Sequence, residues 1–141
     1  MNILFLLKPK SDIVYINDHF TLRQALEKMK CHRYAAIPVI DQDGSYAGTL
    51  SEGDLLWAIL SKDVSNSHQT EQLFVRDILK GRQNAPVNVN AALDDLLLMA
   101  MNQNFIPVTD DRGLFIGIVT RRDILQYYYD RMHQEAETVS R

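Results

Sequence analysis

Cysteine is scarce in this 141-residue sequence, and several features that mark common protein classes are missing as well. The single cysteine, Cys31, excludes an intramolecular disulfide and a thiolate-ligated zinc cluster. Acidic residues outnumber basic ones, 18 against 15, so a nucleic-acid binder with a broad basic face is not expected. The longest early apolar run, Ile3 to Leu7, is too short for a signal-peptide core or a membrane span. We therefore expect a cytoplasmic protein that binds neither nucleic acid nor membrane.

The sequence motifs of several enzyme classes are also missing. The sequence contains no Walker A loop, no GxGxxG, no GxSxG and no HExxH. The four histidines show no metal-ligand spacing. Acidic pairs such as Asp94-Asp95 stand at a predicted helix start or turn, where acids are common for structural reasons. The sequence therefore predicts neither an enzyme nor a metal site.

An internal duplication is the main feature that is present. Residues 37–56 recur at residues 106–125, which is 69 positions later. Both copies share Ile-Pro-Val, an Asp that opens a turn, two glycines, a hydroxyl residue and an Asp three positions after it. Further upstream, Ile16 matches Val87 at an offset of 71. Chance is a poor explanation for so many matches, so two copies of one structural unit are expected.

Each copy predicts the same order of elements: strand, helix, strand, strand, helix. Apolar residues recur at helical spacing in 22–29 and 93–100, and each helix is followed by two strands joined by a four-residue turn. Closing helices are predicted at 54–60 and 123–133. We expect an α/β (α+β) fold in which two repeats pack with pseudo-two-fold symmetry. The predicted boundaries are 1–62 for repeat one with a short N-terminal helix, 63–72 for a linker, 73–133 for repeat two and 134–141 for a polar tail.

The junction between the last strand and the closing helix of each copy holds the side chains best suited to bind an anion. Each junction has a hydroxyl residue and, three positions later, an acid: Ser51 and Asp54, and Thr120 and Asp123. This spacing matches a helix capping box, which is a structural explanation. The N-terminus of a helix also attracts phosphate, and Arg121 and Arg122 would add positive charge. Asp123 could accept hydrogen bonds from ribose hydroxyls. Because Glu52 replaces an arginine in the first copy, the second junction is the better anion site.

The duplicated Pro-Val before a hairpin, with Gly-x-x-(Ser/Thr)-x-x-Asp after it, resembles the CBS-domain family. The resemblance covers roughly residues 1–130, and the two copies have the spacing of a tandem pair, called a Bateman module. It implies a regulatory module that binds an adenosine-containing ligand: AMP, ADP, ATP, S-adenosylmethionine or cyclic di-AMP. It further implies a disk-like homodimer that passes its binding state to an unidentified partner protein.

The resemblance also implies where the ligand lies, because one repeat of such a module supplies the adenine wall and the other supplies the hydroxyl-x-x-Asp junction. The main cleft is then expected at Val14, Tyr15, Ile16, Tyr34, Ala35, Ala36, Ile37, Pro38, Thr120, Arg121, Arg122 and Asp123. A second, weaker cleft would use Val87, Val89, Asn104, Phe105, Ile106, Ser51 and Asp54. Phe105 stands where the first repeat has Ala36, and we expect this larger side chain to close the second cleft.

Three functions remain as alternatives. The first is a sensor of AMP, ADP or ATP. The second is a cyclic di-AMP receptor, because the Arg121-Arg122 pair and the small Ala35-Ala36 wall resemble stand-alone bacterial modules of that kind. The third is a ligand-free scaffold that binds a partner through the helix carrying Tyr127–Tyr129, since three consecutive tyrosines on a helix cannot all face one core. Trp57, on a helix apolar nearly all round, belongs either to the joint core or to a dimer interface.

Overall fold

A computed structural model describes residues 2–32, 35–61, 71–79 and 84–140, with side chains as far as residue 136. Each repeat contains the predicted order of elements. The first repeat consists of β2 (Ile16–Asn17), α1 (Leu22–His32), β3 (Ala36–Ile40), β4 (Tyr46–Ser51) and α2 (Glu52–Ser61). The second consists of β5 (Val87–Asn88), α4 (Leu93–Met99), β6 (Phe105–Thr109), β7 (Phe115–Thr120) and α5 (Arg121–Ser140). Leading segments precede them: β1 (Lys8–Pro9) between 3-10 turns at Ile3–Phe5 and Lys10–Asp12, and α3 (Val75–Ile78).

Helix α1 shows how local sequence builds each repeat. It begins at a capping box in which Thr21 Oγ1 accepts the N–H of Gln24 at 3.2 Å and Gln24 Oε1 accepts the N–H of Thr21 at 2.9 Å. Leu22, Ala25 and Met29 lie on one face of the helix and are buried. The predicted apolar stripe therefore packs α1 against the strands of its repeat.

An aspartate fixes the turn of each hairpin. Asp110 Oδ1 accepts backbone N–H groups of Arg112 at 2.9 Å and Leu114 at 3.0 Å, and Asp41 does the same in the first repeat. The hydrogen bond from Leu114 is the largest cause of a lowered pKa for Asp110. Gly113 completes the turn with φ of +83°, a conformation that a side chain would strain.

The leading segments cross to the opposite repeat. Ile3 is fully buried in the core of the second repeat, and β1 extends the sheet of that repeat by pairing Lys8 with Ile118. In return, α3 buries Val75 and Ile78 in the core of the first repeat. A short helical turn precedes each repeat, and each one completes the core of the other repeat. Neither core is therefore complete without residues from both halves of the chain.

Two small sheets meet where the repeats join. Their strand orders are β1-β7-β6-β5 and β2-β3-β4, with parallel pairing of β5 with β6 and of β2 with β3. Ile40, Tyr46 and Phe115 form a buried cluster between the repeats, in which the Tyr46 and Phe115 rings stack at 6.2 Å. The N–H of Phe115 donates to the carbonyl of Gly44 at 2.9 Å. These contacts hold the two hairpins against each other.

The closing helix α5 differs most from its prediction. It begins at Arg121 and continues to Ser140, so the predicted polar tail is helical as far as that residue. Polar residues at the end of the chain indicate that the segment is exposed, but they do not end the helix. Arg131 pairs with Glu135 one turn later, at 3.7 Å, and such pairs stabilise an exposed helix. Tyr128 donates to Asp94 on α4 at 2.6 Å, and burial is the main cause that raises the pKa of Tyr128 to about 12. No described helix, α5 included, combines the length and the apolarity that crossing a membrane requires.

Candidate functional site

A cavity of about 300 Å³ lies between the two repeats, at the lower end of the range of roughly 300–1,000 Å³ typical of small-molecule sites. Both halves of the chain contribute to it. The lining residues are Lys8, Asp12, Ile13, Val14, Ala35, Ala36 and Pro38 from the first half, and Asn104, Phe105, Ile118 and Thr120 from the second. A ligand in this cavity would contact both repeats at once.

Five of the predicted main-cleft residues line this cavity, and they are Val14, Ala35, Ala36, Pro38 and Thr120. Ala35 and Ala36 have small side chains, which allow a planar ligand to approach the backbone. Ile16 and Ile37 are instead fully buried in the core of the first repeat. Tyr15 packs edge-on against Phe115 in the cluster between the repeats, at 6.4 Å. Tyr34 lies outside the described residues.

The two strand-to-helix junctions use their hydroxyl and acid differently. In the first repeat the capping box is reciprocal: Asp54 N–H donates to Ser51 Oγ at 3.1 Å, and Ser51 N–H donates to Asp54 Oδ2 at 2.9 Å. In the second repeat Asp123 N–H donates to Thr120 Oγ1 at 3.2 Å. Among the described residues, the partner of the Asp123 carboxylate is Lys8 Nζ, 3.8 Å from Oδ2. The Asp123 carboxylate is therefore available to a ligand at the start of α5.

Lys8 is the cation that the structure brings to this junction, and sequence reasoning missed it. The pairing of β1 with β7 places Lys8 in the cavity lining although it is 112 positions from Thr120 in the sequence. Its side chain is 51% exposed, so the ammonium can turn toward an anion. Asp12, Ile13 and Ile118 were missed in the same way. Nothing in the repeat pattern signals a strand that pairs with the opposite repeat.

Arg121, Arg122 and Asp123 are not among the lining residues of this cavity, although Asp123 lies beside it through its contact with Lys8. Arg121 Nε donates to the carbonyl of Ala100 at 2.7 Å, which fixes its side chain toward the end of α4. Both arginines border a shallow groove along α5 with Leu125 and Tyr129. Contact of these arginines with a ligand phosphate stays a prediction, which the bond of Arg121 to Ala100 at the start of α5 does not favour.

Family comparison identifies the duplicated unit. The family model of the CBS domain matches residues 6–61 and 75–130, which together are most of the chain. The chain belongs to the CBS-domain family. A CBS domain-containing protein of Dictyostelium discoideum is 30% identical over 116 residues, which cover 78% of this chain and 80% of that protein.

Solved structures show the same tandem CBS fold. The crystal structure of CbpB in complex with c-di-AMP has a TM-score of 0.86 at 23% identity and covers 98% of this chain and 91% of that one. The crystal structure of CBSX2 in complex with AMP has a TM-score of 0.73 at 22% identity, with coverage of 93% and 98%. Two CBS repeats packed as a pair are thus the architecture of this chain.

The residues predicted for the second cleft lie in different surroundings in the structure. Val87 and Val89 pack against the core of this repeat, and Ile106 is fully buried in it. Phe105, which the sequence predicts to close this cleft, lies in the wall of the first cavity. Sequence reasoning also missed Gln103, whose side chain hydrogen-bonds the backbone beside β6.

Proposed function

We propose that this tandem CBS protein is a regulatory module that binds an adenine nucleotide in the cavity between its repeats. The observation that supports this most directly is the unequal pair of junctions. The acid of the first junction is 7% exposed and held in a reciprocal cap, whereas the Asp123 carboxylate faces Lys8 beside the cavity. A carboxylate and an ammonium at one helix N-terminus match the hydroxyl and phosphate groups of a nucleotide.

Each part of the ligand has a proposed set of contacts. The adenine lies against Val14 and the Ala35-Ala36 backbone, where small side chains admit a flat ring. The ribose hydroxyls donate to Asp123, and the Thr120 hydroxyl contacts the ribose or the phosphate. The phosphate lies between Lys8 and the N-terminus of the 20-residue helix α5, whose dipole favours an anion.

The charge and volume of the cavity favour a ligand with few phosphates. Lys8 is the one basic residue in its described lining, and the Asp12 carboxylate lines the same space. Each phosphate added beyond the first would meet the Asp12 carboxylate without a further cation from the described lining, so we expect AMP to bind more tightly than ATP. The structure of CBSX2 with AMP supports testing this ligand.

Cyclic di-AMP is the second candidate ligand. Its support is the complex of CbpB with c-di-AMP, which has the higher TM-score of the two structures compared above. A cavity of about 300 Å³ suits one nucleotide unit, so the second unit of a cyclic dinucleotide would extend outside it or into a second copy of the chain.

Ligand binding would act on a partner protein through a population shift. A nucleotide that touches both repeats stabilises one relative arrangement of them, and the equilibrium moves by the difference in affinity between the arrangements. We propose that the regulatory output is a surface presented to another protein, with the chain acting as a homodimer. A ligand-free scaffold would show no nucleotide binding and remains the contrasting outcome.

A thermal-shift screen tests the proposal. The panel contains AMP, ADP, ATP, cyclic di-AMP, S-adenosylmethionine and GTP, applied to the wild type, to Asp123→Ala and to Asp43→Ala. Asp43 is an exposed turn acid away from the cavity lining and serves as the matched control. A ligand at a hundredfold its Kd should stabilise the protein by about 2.7 kcal/mol, a shift of several degrees.

The expected result is a shift with an adenine ligand that is lost in Asp123→Ala and kept in Asp43→Ala. No shift with any member of the panel would reject the nucleotide proposal in favour of the scaffold. A shift that survives in Asp123→Ala would place the ligand elsewhere on the molecule.

A further inference from the structure

The side-chain amide of Gln103 is bound to both backbone polar groups of one residue. Its Oε1 accepts the N–H of Ala85 at 3.2 Å, and its Nε2 donates to the carbonyl of Ala85 at 3.1 Å. The same Nε2 lies 3.3 Å from the carbonyl of Phe105. Gln103 is 9% exposed, so this paired contact is shielded from water.

The pseudo-symmetry of the two repeats makes Ala85, the residue bound by Gln103, equivalent to a residue that lines the cavity between the repeats. Ala85 stands 71 positions after Val14, the same offset that relates β5 to β2. Val14 lines the open cavity, and its N–H and C=O form no hydrogen bond with any described residue. The same pair of backbone groups is thus bound to Gln103 in one cleft and without a described partner in the other.

A carboxamide and the edge of adenine present the same hydrogen-bonding groups. The amide of Gln carries an N–H donor next to a carbonyl acceptor. Adenine carries its 6-amino donor next to a ring-nitrogen acceptor. A backbone N–H and C=O pair that can bind one of these groups side by side can therefore bind the other.

We propose that Gln103 occupies the position of the base in the second cleft, as a built-in substitute for adenine that closes this cleft to nucleotides. The inference rests on the proposed function, because it assigns the Val14 backbone pair to the base in the first cavity. Asn84 reinforces the closure, since its Nδ2 lies 3.2 Å from the carbonyl of Phe105 and 3.2 Å from Asn104 Oδ1. The chain then binds one nucleotide, and removing the Gln103 amide opens a second site of the same ligand class.

Calorimetric titration with AMP tests this inference on the full chain. The variants are Gln103→Ala and, as a matched loss of an amide, Gln126→Ala, whose Nε2 bonds Asp130 on the exposed face of α5. The expected stoichiometry is one AMP per chain for the wild type and for Gln126→Ala. For Gln103→Ala we expect a second, weaker binding event that persists when Asp123→Ala removes the first. Two sites in the wild type, or no second event in folded Gln103→Ala, would overturn the proposal.

Amide NMR of the wild type gives an independent measurement in case Gln103→Ala does not fold. Saturating AMP should shift the Val14 amide signal and leave that of Ala85 in place, and a shift at Ala85 would contradict closure by Gln103. The two proposals fail separately. If the wild type binds no AMP while Gln103→Ala takes up one equivalent, the first-cavity function is rejected and the role of Gln103 stands.

Discussion

Asp54 and Asp123 occupy equivalent positions of the two repeats and have different surroundings. Both backbone N–H groups donate to the hydroxyl three residues earlier, so each residue pair caps its helix. The carboxylate of Asp54 returns the bond to Ser51, whereas that of Asp123 faces Lys8 at 3.8 Å. The same motif therefore serves the fold in both repeats and leaves a carboxylate available in one of them.

Lys8 should set the affinity for the ligand phosphate. Replacement by Ala removes the ammonium from a half-exposed site, so we expect AMP affinity to fall about tenfold, or about 1.4 kcal/mol, with adenosine affected much less. Titration calorimetry with the two ligands measures this difference directly.

Arg121→Ala is the matched comparison, because the sequence alone assigns the phosphate to that residue. Its guanidinium is bound to the Ala100 carbonyl, so this variant should lower the melting temperature and keep AMP affinity within about twofold of the wild type. If Arg121→Ala lowered AMP affinity more than Lys8→Ala, the result would assign the phosphate contact to Arg121.

At the scale of elements, the close approach of β1 to β7 holds Lys8 in the site. Gly117 allows this approach, because a Cβ built there would overlap the carbonyl oxygen of Lys8 and lie 3.0 Å from the Leu7 side chain. Backbone cannot give way as a flexible side chain does. The two-residue strand β1 would therefore have to move away from β7.

Gly117→Ala should consequently lower both stability and AMP affinity. Overpacking of this kind costs roughly 1–3 kcal/mol, and the displaced β1 carries Lys8 out of the site. Gly53→Ala is the control, since its Cβ would meet Ser51 Oγ at 3.6 Å, an ordinary contact on helix α2. Urea unfolding and calorimetry measure the two effects, and unchanged AMP affinity in folded Gly117→Ala would separate β1 from the site.

Local sequence patterns predict the helices, strands and turns of this fold better than they predict which of these elements pack together. The apolar stripe of α1 and the Asp41 turn depend on neighbours within a few residues, and both are confirmed. The N-terminal segment with β1 packs on the second repeat because Ile3 fills the core of that repeat. The spacing of apolar residues in the sequence does not show which core a segment will fill. The candidate site divides in the same way. The Ala35-Ala36 wall follows from the repeat, whereas Lys8 and the Gln103 amide reach their positions through tertiary packing.

At the scale of the whole molecule, the two repeats are joined in two ways. They contact each other directly, and the segment before each repeat packs in the core of the other repeat. Ile3 completes one core and Val75 the other, and the Tyr46–Phe115 stack lies between them. A change in the relative position of the repeats must therefore also move β1 and α3. Because Lys8 is part of β1, a phosphate bound by Lys8 as proposed would be coupled to the arrangement of the repeats.

Apolar side chains are left exposed on the equivalent helices α2 and α5. Leu56, Trp57 and Leu60 on α2 are 54–64% exposed, and Leu125, Tyr129 and Met132 on α5 are 52–67% exposed. Of the three consecutive tyrosines, two pack against the core and Tyr129 faces outward. Trp57, like Tyr129, lies outside the joint core. The other alternative from the sequence, a dimer interface, stays a prediction for Trp57. Two similar faces related by pseudo-symmetry allow self-complementary pairing, so we propose the homodimer.

The dimer prediction is tested by light scattering during size exclusion. The wild type should elute at twice the chain mass of 16.2 kDa, and Trp57→Glu/Leu60→Glu should elute at one mass, because burying two carboxylates opposite an apolar face is costly. Leu98→Glu is the control, since Leu98 is 65% exposed on α4, outside both faces. A wild type that is monomeric at about 100 μM, or a Leu98→Glu variant that dissociates equally, would contradict the assignment.

Because association stabilises the folded state by mass action, the melting temperature of the wild type should also rise with protein concentration, and that of the double variant should not.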